Sequence, residues 1–243
     1  MAPVYDLFAA GYEYESWLGD LVAQLEHHGL QRGRLLDVAC GTGMSFLPML
    51  ARGWEVTGCD SSAAMLQQAR CKTDSARLEV ADMRVLPRFG RFDLVWALGN
   101  SLNCLLDGEE LRAALAGMRR NLSPNGLLMF DLSALLVYRT LFAERWTREH
   151  DGTRFIWTGQ APSDVAPGSI CTAKLATEDD QDHRLELCVH RHRHFPEAEV
   201  REAIADAGLE CLDTFGHHYD GVFKRPLDEA EHTTAVYIAR IAR

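Results

Sequence analysis

Asp37, Gly41, Gly43 and Asp60 are the residues of this chain whose types and spacing point to chemistry. The two glycines close an apolar run, Arg34 to Ala39, and open a stretch of helical composition, Met44 to Ala51, that Gly53 ends. A backbone without Cβ atoms turns tightly there and lets a ligand approach closely at the start of a helix. Asp60 ends the next apolar run, Glu55 to Cys59, where a carboxylate can accept both hydroxyls of a ribose. A dinucleotide fingerprint would place a third glycine at position 46, which is Phe46, and no G-K-[ST] triphosphate loop is present. A nicotinamide oxidoreductase is therefore disfavoured. A cationic adenosine ligand without phosphates suits an acidic mouth better, and S-adenosylmethionine has that chemistry.

The elements that must position these residues alternate. A leading amphipathic helix is expected over Tyr12 to Leu30, where Trp17, Leu18, Leu21, Val22 and Leu25 recur at three- and four-residue steps. Strand, glycine turn and helix follow, then a second strand to Cys59 and a helix capped by Ser61 or Ser62 and running to about Cys71. Further strands are expected at Leu78–Val80, Phe92–Leu98 and Gly126–Leu132, with a helix over Gly108–Leu122 and a turn at Pro124-Asn125-Gly126. Such alternation predicts an α/β fold with a doubly wound, Rossmann-like sheet. From Leu132 the rhythm changes to consecutive strands at Arg145–His150, Thr153–Gly159, Ser169–Thr177 and His183–Phe195, an inserted antiparallel β cover. A helix from Glu197 and strands at Leu209–Phe215 and Thr233–Ile241 complete the sheet. The expected divisions are residues 1–132 for the N-terminal helix and binding core, 133–196 for the substrate cover and 197–243 for completion of the core.

Composition narrows the class. The 243 residues carry 35 acidic and 25 basic side chains, a net charge of -10 that repels a phosphate backbone and disfavours a nucleic-acid partner. Seven scattered cysteines without a C-x-x-C pair read as reduced thiols of a cytoplasmic protein. Leu127 to Val137, the most apolar stretch, is interrupted by Asp131, so no membrane span is expected.

On these motifs the chain resembles the class I S-adenosylmethionine-dependent methyltransferases. The resemblance is carried by Leu35-Leu36-Asp37-Val38-Ala39-Cys40-Gly41-Thr42-Gly43, Val56-Thr57-Gly58-Cys59-Asp60-Ser61-Ser62-Ala63-Ala64-Met65, Val80-Ala81-Asp82-Met83, Phe92-Asp93-Leu94-Val95 and Leu122 to Leu128. It implies a seven-stranded sheet whose last strand runs antiparallel to its neighbours. It also implies a cofactor set: Gly41 and Gly43 along the methionine moiety with Asp37 holding the loop and the amino group, Asp60 on the ribose, Ser61 and Met65 flanking the adenine, and Asp82 on the adenine amine beside Met83, with Ala39 and Ala81 in the same set. Leu98 to Ser101, including Asn100, would form the cofactor-facing end of the fourth strand. The layout is also similar, more loosely, to bacterial secondary-metabolite N-methyltransferases of the amino-sugar type.

Methyl transfer is an in-line displacement that positioning can largely accelerate, so the chain need not advertise a catalytic residue. Ala97 to Asn103 carries neither the Asn/Asp-Pro-Pro-Tyr of adenine and glutamine methylases nor a Pro-Cys nucleophile, which points to a small-molecule acceptor. Nitrogen is favoured over oxygen because an unprotonated amine needs no strong base. Should a base be used, His194, His217 and His218 are the candidates. Tyr5, Tyr12 and Tyr14 could close over the cofactor as aromatic faces for a sulfonium or be packing residues, and Trp146 and Trp157 could wall an acceptor pocket. Cys188, His190, His192 and His194 alternate along one predicted strand, yet lack a further ligand, and no metal is expected. A homodimer is compatible with the sequence. The alternative class is a cofactor-binding protein of this fold with a regulatory or non-methylating role.

Overall fold

Central strands that are apolar at successive positions must bury both faces, and that requirement builds the architecture. The computed structural model describes residues 1–10, 14–178, 184–218 and 223–242. A short helix α1 (Tyr5–Ala9) is followed by α2 (Tyr14–His27), then β1 (Arg34–Val38), α3 (Leu47–Ala51), β2 (Glu55–Asp60), α4 (Ala63–Arg70), β3 (Arg77–Val80) and β4 (Phe92–Ala97). Helix α5 (Gly108–Asn121), strand β5 (Leu122–Ser133) and the short α6 (Leu135–Arg139) come next. The insertion comprises β6 (Arg145–His150), β7 (Thr153–Gln160), β8 (Ile170–Glu178) and β9 (Arg184–Arg193). The chain ends with α7 (Glu197–Asp206), β10 (Leu209–His217), β11 (Phe223–Lys224) and β12 (Thr234–Ile241).

The main sheet has the order β11-β10-β12-β5-β4-β1-β2-β3. Strands β1 to β5 are parallel to their neighbours in that set, and β12 is antiparallel to both β5 and β10. Neighbouring residues of one strand feed opposite cores. Leu36, Val95 and Leu128 pack with Leu111, Leu115 and Met118 of α5 and Val200 and Ile204 of α7. Leu35, Leu94 and Met129 pack on the other face with Leu18, Leu21 and Leu25 of α2, Met49 of α3 and Leu66 of α4. The sheet is therefore doubly wound, as expected. The expected seven strands number eight among the described residues, because the pair Phe223–Lys224 adds to the edge of β10 through Gly216 and His217. Two residues are too short to show a period, which is why the alternation did not reveal them.

Local boundaries shift for identifiable reasons. Regular helix starts at Leu47 rather than Met44, because the glycine loop occupies the first turn: Gly43 N–H donates to the Cys40 carbonyl at 2.9 Å and Leu47 N–H to the Gly43 carbonyl at 3.0 Å. Ser62 is the N-cap of α4, its hydroxyl accepting the Met65 N–H at 3.3 Å. The second sheet is an antiparallel meander, β6-β7-β8-β9, with an irregularity in β9 opposite Leu175 and Ala176. One face of it closes a third core, in which Phe155, Trp157, Cys171, Ala173 and Leu175 meet Tyr138 and Phe142. Among the described residues no helix is long and apolar enough to cross a membrane.

Candidate functional site

The C-terminal tips of β3, β2, β1 and β4 are adjacent; the chain runs outward from β1 through β2 to β3 and returns to the other side of β1 as β4, which makes β1 the switch point at which open α/β sheets hold ligands. The turn after β1 runs through three residues of positive φ, Ala39 (58°), Gly41 (55°) and Gly43 (90°). The two glycines do different work. A Cβ at Gly43 would lie 2.7 Å from the ring of Phe46, whereas a Cβ at Gly41 would meet nothing within 4 Å. Gly43 thus serves close packing of the loop on the core, and the Gly41 face borders open space. We expect Gly41→Ala to lower thermal stability little, about 1 kcal/mol for a left-handed alanine, while lowering cofactor affinity about tenfold by filling that face. Calorimetry and a melting curve separate the two effects.

Asp60 is 9% exposed at the tip of β2. Its Oδ2 accepts the Gly41 N–H at 2.9 Å and its Oδ1 the Ser62 N–H at 2.7 Å, so the carboxylate fixes the loop after β1 and the start of α4 at once. Each oxygen retains a lone pair for a further donor. The Asp60 backbone carbonyl accepts from Ala81 N–H at 3.0 Å, drawing the β3 tip alongside. Asp37 is buried behind the loop and accepts a hydrogen bond from the Ser45 hydroxyl. Burial pushes the Asp37 carboxyl up to about 7, and burial also raises Asp60 against the two amide hydrogen bonds that pull it down. Burial thus favours the neutral form of both carboxyls, and a positive charge brought beside them would favour the ionised form.

The remaining expected cofactor residues fall into two groups. Ser61, Met65, Ala81, Asp82 and Met83 lie along the tips of β2 and β3, with Ser61 exposed and the others partly so, Asp82 included. Asp82 caps the turn that follows, its Oδ1 accepting the Arg84 N–H at 2.9 Å, and the Arg84 guanidinium grips it with Nη2 to Oδ2 at 2.6 Å. That ion pair, chiefly the guanidinium hydrogen bonds, holds the Asp82 carboxyl below its ordinary value. Leu98 and Asn100 lie at the tip of β4, next to β1. Here the sequence reading missed a residue. Asp131, on β5, is 1% exposed, and its Oδ2 accepts the Asn100 N–H at 3.1 Å across a turn in which Gly99 and Asn100 both have positive φ. Burial raises its carboxyl to about 7. Asp131 Oδ1, Asn100 Oδ1 and Ser101 Oγ are buried without a hydrogen-bond partner among the described residues. The available signal was a carboxylate breaking an apolar strand near its end, the pattern already used for Asp60.

The turn after β4 is tied to the insertion. Asn103, fully buried, donates Nδ2 to the Arg193 carbonyl at 2.8 Å and accepts the Ser133 N–H on Oδ1 at 2.8 Å. Cys104 Sγ lies 3.6 Å from His192 Nε2. Trp146 and Trp157 stack at 5.8 Å on the same sheet, and the imidazoles of His190 and His192 approach Trp157 and Phe142 at 5.4 and 5.3 Å. Burial lowers the His192 imidazole to about 3 and keeps it neutral near pH 7. Among the described residues no cluster of three or more His, Cys, Asp or Glu could hold a metal ion.

The candidate bases are dispersed. His194 has no exposed surface; its Nδ1 accepts the Gly168 N–H at 3.2 Å, and its Nε2 lies 3.0 Å from Glu229 Oε2. His217 and His218 sit at the end of β10, on the same edge of the sheet as the glycine loop but four strand spacings from β1, roughly 19 Å. His218 lines a cavity of about 430 Å³ with Leu136, Lys224 and His232. Tyr5 opens α1 and is partly buried, Tyr12 lies outside the described residues, and Tyr14 begins α2.

Residues 35–126 match the model of a family described as a methyltransferase domain. A provisionally named methyltransferase of Geobacillus sp. (strain WCH70) is 30% identical over 225 residues, which cover 86% of this chain and 90% of that protein. The glycine/sarcosine N-methyltransferase of Parasynechococcus marenigrum (strain WH8102) is 38% identical over 212 residues, covering 83% and 71%. The dTDP-3-amino-3,6-dideoxy-alpha-D-glucopyranose N,N-dimethyltransferase of Streptomyces fradiae is 34% identical over 133 residues, 54% and 52% of the two chains. Among solved structures, an S-adenosylmethionine-dependent methyltransferase from Clostridium acetobutylicum ATCC 824 superposes with a TM-score of 0.82 over 100% of this chain and 98% of its own at 21% identity, which establishes the shared fold. A doubly wound sheet with a glycine loop and acidic strand tip defines the class, and these matches place the chain within it: it belongs to the class I S-adenosylmethionine-dependent methyltransferases.

Proposed function

We propose that this protein transfers a methyl group from S-adenosylmethionine to an amine nitrogen of a small metabolite, in a biosynthetic pathway. The observation that carries the reading is the Gly41–Asp60 pair: an open glycine face and a fixed carboxylate joined by one 2.9 Å hydrogen bond at the switch point of the sheet. The residues fit the cofactor: the space at Gly41 is open to a ligand, Asp60 keeps lone pairs for further donors, and buried polar oxygens lie at the tips of β4 and β5.

When bound, S-adenosylmethionine supplies an electrophilic methyl group on a positively charged sulfur. Asp60 takes the ribose hydroxyls with the lone pairs its two amide bonds leave, while Ser61, Met65, Ala81 and Met83 border the adenine. Asp82 faces its amine, held in place by Arg84. Ala39, Gly41 and Gly43 follow the methionine portion, and Asp37 lends negative charge from behind the loop. Leu98 and Asn100 form the wall next to the acceptor. There Asp131, Asn100 and Ser101 would offer oxygens to the N–H groups of an amine, so that positioning supplies most of the rate. The aromatic face of Trp146 and Trp157 excludes water, and Tyr5 closes from the N-terminal side. An unprotonated amine attacks without a histidine base; His217 and His218, at the end of β10, would contact the distal part of an acceptor. The N-methyltransferase relatives support nitrogen, and the net charge of -10 suits an amine.

The experiment is incubation with S-adenosylmethionine labelled in its methyl group and a panel of amino sugars, amino acids and phenols. Label transferred to amines is expected. Transfer to phenols alone overturns the nitrogen reading, and binding without any turnover favours a regulatory role.

The raised carboxyls set a pH dependence. Below about pH 7 Asp37 is largely protonated in the fold, and Asp60 shifts in the same direction. Unfolded, such carboxyls ionise near 3.9, so between the two values the folded state holds the extra proton and the ligand-free fold loses stability as pH rises through 7. Cofactor binding runs the other way, because a cation favours the ionised carboxylates. We expect S-adenosylmethionine affinity to rise about 3- to 10-fold between pH 6 and pH 8, measured by calorimetry at both values. A flat profile contradicts the role given to Asp37.

A further inference from the structure

We infer that Asp6 is a clasp through which helix α1 couples the cofactor loop to the inserted sheet, which makes it a positioning residue for cofactor binding. The inference rests on the methyltransferase reading above and deepens it. Helix α1 lies between the two parts of the molecule that hold the reactants. On one side Val4, Leu7 and Phe8, at helical spacing, pack against the core of the insertion. Phe8 stacks on Trp146 at 6.2 Å and meets Phe155 edge-on at 5.5 Å, and its carbonyl accepts a hydrogen bond from the Arg148 guanidinium. On the other side the Asp6 carboxylate accepts the Thr42 hydroxyl at 2.5 Å and forms an ion pair with Lys72. Lys72 Nζ also donates to the Thr42 carbonyl at 2.9 Å.

Thr42 stands between Gly41 and Gly43 and is 1% exposed. An isolated, half-exposed ion pair would contribute little. Here an ammonium and a hydroxyl converge on one carboxylate, and the same ammonium returns to the loop backbone, so three contacts define one arrangement of Asp6, Lys72 and Thr42. A loop held in its binding conformation therefore favours docked α1, and docked α1 presents Phe8 to the aromatic wall. Linkage makes the effect mutual: whatever α1 docking contributes to the loop, cofactor binding returns to α1.

The test uses the full chain and S-adenosylhomocysteine as the probe. Wild type, Asp6→Ala, Asp6→Glu and Lys72→Met are titrated by calorimetry, and hydrogen exchange is followed at residues 5–9 and in β4 and β5 with and without the probe. In wild type the probe is expected to slow exchange at residues 5–9. In Asp6→Ala and Lys72→Met the Kd is expected to rise about 5- to 20-fold and the slowing at residues 5–9 to vanish, while exchange in β4 and β5 stays as in wild type. Asp6→Glu is expected to recover part of both effects, which a general loss of structure does not produce. Wild type that binds the probe, with Asp6→Ala binding equally well or protected equally at residues 5–9, overturns the clasp alone. Wild type that does not bind overturns the methyltransferase reading as well.

Discussion

Asp60→Ala is expected to weaken S-adenosylmethionine binding by about 2 to 3 kcal/mol, roughly 30- to 150-fold. Two losses combine. The ribose hydroxyls lose a charged acceptor, and hydrogen bonds to charged groups are worth about 1.5 to 3 kcal/mol. The Gly41 and Ser62 amides lose the oxygens that fix them at 2.9 and 2.7 Å, so the loop after β1 and the first turn of α4 are no longer preorganised. The ligand-free fold suffers less, because removing a carboxylate that burial already disfavours also removes its desolvation penalty. Asp60→Asn should fall between, keeping one acceptor oxygen but presenting an NH2 group to one amide donor. Titration of the three proteins, with melting curves alongside, checks the order. An unchanged Kd in Asp60→Ala means that the ribose is held elsewhere.

Gly43→Ala should have the largest effect on stability, about 3 kcal/mol from a left-handed alanine and an overpacked neighbour combined. Its φ of 90° disfavours any L side chain, and the new Cβ would sit 2.7 Å from the Phe46 ring. Phe46 cannot yield easily, being fully buried among Leu18, Leu35, Met49 and Trp96. Urea denaturation should show the midpoint falling with an unchanged slope. An alanine variant as stable as wild type contradicts the packing role and leaves both glycines serving the ligand.

Much of the site was legible because its physics is local. A glycine pair after an apolar run and a carboxylate ending the next run are adjacent once strands are parallel, and β1 and β2 pair in register from Arg34↔Glu55 to Val38↔Cys59. The same alternation exposed the inserted strands: β6 has the expected limits, those of β7 and β8 differ by one residue, and β9 ends two residues early, while its expected start at His183 lies outside the described residues. Long-range residues were less visible. Asp131 reads in sequence only as an interruption of apolar residues, and its partnership with Asn100 exists because β4 and β5 bring positions 31 residues apart together. Asn103 likewise acquires meaning through Arg193, 90 residues away. The His192–His194 pattern shared one face of a predicted strand, yet the chain leaves β9 at Arg193, so His194 turns toward Glu229 while His192 stays by Cys104.

Calorimetric titration of the purified wild-type chain with S-adenosylmethionine and then with S-adenosylhomocysteine tests the central claim most directly. One site per chain with micromolar affinity for both, raising the melting temperature, is the predicted result. Absence of heat and of any thermal shift with either compound would contradict the assignment of the glycine loop and Asp60 as a cofactor site.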